Sequence, residues 1–127
     1  MSRRVISTAG VTLVALLALA PASLAKPRKS YCSPSGDYCT AIKGKPGSPR
    51  FSIGSFAFDG AYTLCVTAPD TSRACQDYRL RRDKHGINTS RVPWRGNYPD
   101  LGPGRYFVTF SLQGSTRLGP RLSFVIG

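Results

Sequence analysis

Tyr62-Thr-Leu-Cys-Val-Thr-Ala-Pro-Asp-Thr-Ser-Arg-Ala-Cys-Gln-Asp-Tyr-Arg79 reads as two strands around a tight turn. Tyr62, Leu64 and Val66 alternate with Thr63, Cys65 and Thr67, and a period of two sends one set into a core and the other outward. Pro69–Ser72 supplies turn-forming residues. With the turn centred on Asp70, Cys65 and Cys75 fall opposite one another, and facing residues of an antiparallel pair lie about 4.5–5.5 Å apart at Cα, a gap that a disulfide spans. Cys32 and Cys39 would then close the Ser33–Asp37 loop. Four cysteines allow three connectivities, and the facing geometry favours this local one. Each short ring would contribute about 2.5–3 kcal/mol by loop-closure arithmetic. Zinc is the rival use of four cysteines, but a single histidine, His85, and the lack of any Cys-x-x-Cys pair argue against it. Structural disulfides are expected at Cys32, Cys39, Cys65 and Cys75, with no metal and no cofactor.

Outward from this hairpin the chain is a series of short apolar runs broken by Gly, Pro, Asp and Ser, and no stretch carries apolar residues at helical spacing. Strands are expected at Tyr38–Ile42, Arg50–Phe58, Ala61–Ala68, Arg73–Arg81, Gly86–Trp94, Arg105–Leu112 and Arg117–Ile126. Strands this short, with turn signals about every ten residues, predict an all-β sandwich or small barrel. Tyr106, Val108, Phe110 and Leu112 share one face of their strand, and Leu122, Phe124 and Ile126 share one face of the last. Phe51 and Ile53 slip by one residue against Phe56 and Phe58, which predicts a β-bulge near Gly54.

The N-terminus has a different pattern. Arg3 and Arg4 precede an apolar run over Val5–Ala20, and Pro21-Ala-Ser-Leu-Ala25 ends it with small residues. Charge, short apolar core and small-residue exit are the order of a secretory signal, cleaved here after Ala25. A retained anchor is the rival, but the run falls short of the roughly 20 residues a spanning helix needs. Residues 1–25 are therefore assigned as signal peptide, 26–37 as a basic tail and disulfide loop, and 38–127 as the β domain. Lys26–Ser30 reads as an unstructured tail. Export suits a chain with paired cysteines. The product is expected to be secreted and extracellular, in association with the cell envelope, with no transmembrane segment.

The full chain carries a net charge of +12, and removing Arg3 and Arg4 leaves 16 basic residues against six Asp and no Glu, a net of +10. Such a field favours anionic partners. Arg79, Arg81, Arg82 and Lys84, with Arg91 and Arg95 on the next strand, are expected to form one cationic patch near Trp94 and Tyr98. Arg79 and Arg81 would lie on the outward face with Cys75 and Asp77. Lys43, Lys45 and Arg50 form a second group in a Gly/Pro-rich loop. Basic residues among aromatics hold polyanions or sugars. They also guard edge strands against aggregation, and Trp94 suits a core as well as a surface.

Leu101-Gly-Pro-Gly-Arg-Tyr-Phe-Val-Thr-Phe110 resembles the entry to the penultimate strand of immunoglobulin-like and fibronectin-III-like sandwiches, where a Tyr hydroxyl bonds back to the corner backbone. The domain as a whole resembles the small exported immunoglobulin-like domains of bacterial secretomes, a group without a common activity. The resemblance implies an immunoglobulin-like antiparallel sandwich of about seven strands. It departs from antibody-type domains in having no cysteine pair across the two sheets.

Nothing in the sequence assembles a catalytic site. His85 sits in the polar turn Arg81-Arg-Asp-Lys-His-Gly86, with no nucleophile elbow elsewhere to serve it. Asp37, Asp59, Asp70 and Asp100 sit in turn contexts, where Asp is common for backbone reasons. Asn88-Thr-Ser90 matches a glycosylation acceptor, a frequent chance tripeptide. The expectation is a non-enzymatic binding module for the cell envelope or another anionic extracellular partner, polymer or protein, with no feature of specific nucleic-acid binding. The alternative is an inhibitor of a protease or hydrolase that presents the braced Pro69–Ser72 loop.

Overall fold

A computed structural model describes residues 27–113 and 116–127, together with Gly10. The expected signal peptide and its cleavage point fall outside the described residues. Among the described residues nine strands form: β1 (Ser30–Cys32), β2 (Tyr38–Lys45), β3 (Ser48–Ser55), β4 (Ala61–Thr67), β5 (Arg73–Arg79), β6 (Arg81–Arg82), β7 (Asn88–Pro93), β8 (Gly104–Leu112) and β9 (Leu122–Ile126). They pair antiparallel into a five-stranded sheet, β1-β2-β3-β7-β6, and a four-stranded sheet, β5-β4-β8-β9, packed as a sandwich.

The alternation read from the sequence sets which side chains are buried. Tyr62, Leu64 and Val66 of β4 meet Phe51 and Ile53 of β3, Val92 of β7, and Tyr106, Val108 and Phe110 of β8 in one core. Burying each such side chain contributes about 1.5–3 kcal/mol. An aromatic cluster fills one end: Trp94 packs edge-on against Tyr106 at 5.3 Å, and Tyr106 stacks on Phe124 at 5.1 Å. The Tyr106 hydroxyl donates to the Gly102 carbonyl at 2.7 Å and accepts from the Leu101 amide at 3.0 Å, closing the corner before β8. Gly104 opens β8 at φ +137°, and Pro69 occupies the space a side chain there would need. Tyr62 of β4 donates across the core to Ser90 of β7 at 2.7 Å, tying the two sheets together.

Both disulfides form as the facing geometry required. Cys65–Cys75 joins a register pair of β4 and β5, and Cys32–Cys39 joins a register pair of β1 and β2, each with Cα atoms 4.1 Å apart.

Four expectations are corrected. No bulge interrupts β3 at Gly54, because its register with β2 and β7 runs unbroken from Arg50 to Ser55. The apparent slip arises because the strand stops at Ser55, whose hydroxyl accepts from the Ala57 and Phe58 amides and turns the chain. The segment Arg73–Arg81 is two strands. Leu80, buried where the chain leaves one sheet for the other, keeps the alternation intact while β6 pairs with β7. The last strand begins at Leu122; Arg117 makes only an isolated bridge to Ser111. The basic tail is held rather than free: the Ser123 amide donates to the Arg28 carbonyl at 2.8 Å and the Ile42 amide to the Lys29 carbonyl at 2.7 Å, so the segment before β1 straps both sheets.

Candidate functional site

The five-stranded sheet concentrates positive charge. Lys43 and Lys45 of β2, Arg50 of β3, Arg81 and Arg82 of β6 and Arg91 of β7 stand on it, and none of its five strands contains an acidic residue. Register places most of these cations on one side. Lys43 faces Arg50, Ser52 faces Arg91, and Thr89 faces Arg81, all at positions alternating with the buried Ile42, Phe51, Ile53 and Val92. Two like charges directly opposite, as at Lys43 and Arg50, destabilise a strand pair. Ala41, Ser52, Gly54 and Thr89 lie between the cations, and side chains this small leave the face low and open.

Two shallow depressions mark it. Arg79, Arg81, Lys84 and Arg91 line the first, with Asp83 and His85 on its wall, so four cations stand against one carboxylate. The second lies over β2, β3 and β7 and is bounded by Lys43, Arg91, Phe56 and Ile87. Thr89 and Arg91 line both, so the depressions meet along β7.

Four carboxylates are held in place by the backbone and hydroxyls around them. Asp83 accepts from the His85 amide at 2.8 Å and the Ile87 amide at 3.0 Å, and the Ile87 bond leads in holding its carboxyl below the usual carboxylate range. Asp70 accepts from the Ser72 hydroxyl and amide, which lower it likewise. Asp77 accepts from Thr63 at 2.6 Å, and Asp100 from the Gly102 amide at 3.1 Å.

Of the residues expected to bind, Arg79, Arg81, Lys84 and Arg91 meet in one groove. Arg79 stays on the four-stranded sheet with Cys75 and Asp77, whereas Arg81 belongs to the other sheet, which corrects the shared strand face. Arg82 turns its guanidinium against Gly86, away from the groove. Arg95 is displaced from the patch as well: its Nε donates to the Gly47 carbonyl at 2.7 Å and its guanidinium lies 5.5 Å over the Trp94 ring. Trp94 is 0% and Tyr98 5% exposed, so both belong to the core and not to a contact surface. Their burial follows from a turn in which the Asn97 and Tyr98 amides donate to the Trp94 carbonyl, after which the Tyr98 hydroxyl reaches the Leu64 carbonyl at 2.7 Å.

Sequence reasoning kept Lys43 and Arg50 apart from Arg81 and Arg91. The missing information was that β3 pairs with β7, a contact across about forty residues that no local pattern carries. Phe56 was missed for the same reason as the false bulge. Pro69–Ser72 forms an exposed turn, with Thr71 at φ +72°. The Asn88 side chain donates to the Phe58 carbonyl at 3.1 Å. Among the described residues no group of three or more His, Cys, Asp or Glu is placed to hold a metal ion. Compared with known proteins, the chain matches no family model, no curated protein and no solved structure.

Proposed function

We propose that this chain is an exported, non-enzymatic binding module that holds an anionic partner at the cell envelope or another extracellular surface. The observation that carries the proposal is the outer face of the five-stranded sheet, whose strands hold no acidic residue and where Lys43, Arg50, Arg81 and Arg91 come together from four strands. Cations gathered in excess of counter-charge raise the local concentration of a polyanion and bind it in proportion to the charges neutralised. Export is supported by the N-terminal sequence pattern and by two disulfides, which persist in oxidising compartments.

The fold is read as immunoglobulin-like. Taking β2, β3, β7 and β6 as strands A, B, E and D, and β5, β4, β8 and β9 as C′, C, F and G, reproduces the two sheets of that family, with β1 added at one edge. The Tyr106 hydroxyl bonded back to Gly102 supports the same reading, since strand F of those domains opens on such a corner.

Co-sedimentation of the oxidised protein with purified cell-envelope material, at about 50 mM and about 500 mM salt, tests the proposal. Binding at low salt that disappears at high salt is expected. Absence of binding at both would overturn the envelope assignment.

A further inference from the structure

Phe56 is 70% exposed, and among the described residues Leu101 and Val125 are the only other large apolar side chains so open to water. Its backbone is fixed, because its amide donates to the Asp37 carbonyl at 2.9 Å and it lies within the turn that the Ser55 hydroxyl closes. Phe56 and Ile87 border the second depression, which Ala41, Ser52, Gly54 and Thr89 also line, two of them with hydroxyls, and Lys43 and Arg91 stand beside it.

Resting on the anionic-partner reading above, we infer that this depression is a subsite for one acidic sugar residue of an anionic glycan. Phe56 and Ile87 set an apolar border beside cations, an arrangement that suits a ligand with both an apolar side and a charge. A pyranose ring has such a side in its axial C–H groups, which lie against an aromatic face. Its hydroxyls suit Ser52 and Thr89, and its carboxylate or sulfate suits Lys43 or Arg91. Inorganic phosphate polymers have charge but no apolar side, so Phe56 would do nothing for them. Single-stranded nucleic acid is held by successive exposed stacking platforms, whereas of the two aromatics lining this depression, Tyr38 and Phe56, only Phe56 is exposed. Strong positive charge without an acidic residue on the strands selects the acidic over the neutral sugar.

Titration calorimetry of the oxidised protein with an oligogalacturonate, its methyl ester and a polyphosphate of similar length tests this. The uronate is expected to bind, and its uncharged ester to bind far more weakly. Phe56→Ala should weaken the uronate about tenfold, as expected for losing one stacking contact, and leave polyphosphate unchanged. Phe56→Tyr should restore the uronate. Because Phe56 is exposed, these variants keep the fold. Uronate binding that ignores Phe56→Ala, or an ester that binds as well as the acid, would overturn the subsite while leaving the cationic face standing. Failure of every polyanion to bind would remove the face and the subsite together.

Discussion

The Tyr106 side chain is fully buried, its ring stacked on Phe124 and its hydroxyl bonded to two backbone groups of the Leu101–Gly102 corner. Tyr106→Phe keeps the stack and strands both backbone partners, so it should cost about 1.5–3 kcal/mol, read from the urea midpoint. Tyr62 gives a second prediction. Burial pushes its hydroxyl up to about 12, and the same cause raises Tyr98. A raised acid is held protonated by the fold, so the stability it adds is complete below the unfolded value of about 10 and is lost as pH climbs from there through the folded value. Stability should therefore fall above pH ~10, by on the order of 2 kcal/mol at pH ~12 from Tyr62 alone, and unfolding should carry a jump in tyrosinate absorbance. A protein equally stable at both pH values would contradict this. Among single residues, the cysteines were legible because pairing across a tight turn is a local matter. Trp94 was legible as a core residue of the strand before it, but Tyr98 was not, because its burial depends on a turn that folds the chain back until its hydroxyl reaches Leu64.

At the scale of elements, Cys65–Cys75 closes the β4–β5 hairpin, whose inner strand β4 also pairs along most of its length with β8, whereas Cys32–Cys39 ties only the three-residue edge strand β1 to β2. The two bridges should thus differ in reach. Replacing Cys65 and Cys75 with Ala should lower global stability by about 2.5–3 kcal/mol, the loop-closure value. Replacing Cys32 and Cys39 should show first as faster amide exchange in β1, with β4 and β8 still protected. Loss of protection throughout after the second change would contradict a merely local role. Seven of the strands were legible as alternating runs. The sheet change at Leu80 was not, because a residue buried between two sheets satisfies the same alternation as one buried beneath a single sheet. The strands β1 and β6 are too short for a period to register. Short edges of this kind also limit edge-to-edge pairing.

At the scale of the whole molecule, charge is distributed unevenly between the sheets. The strands of the five-stranded sheet carry cations alone, whereas the four-stranded sheet mixes Arg73, Arg79 and Arg105 with Asp77. Composition announced a basic protein, but only the pairing of β3 with both β2 and β7 gathers its cations on one face. The proposed binding rests on that face rather than on net charge. The most direct test compares the salt dependence of polygalacturonate binding for three proteins: the unaltered chain, Arg81→Glu with Arg91→Glu, and Arg73→Glu with Arg121→Glu. The two double variants change net charge equally, and all four arginines are exposed. Binding by the unaltered protein should fall steeply between about 50 and about 500 mM salt. The first double variant should lose about tenfold or more at low salt and show a shallower slope, while the second keeps most of its affinity. Equal losses in both variants, or binding by the unaltered protein that ignores salt, would contradict the account.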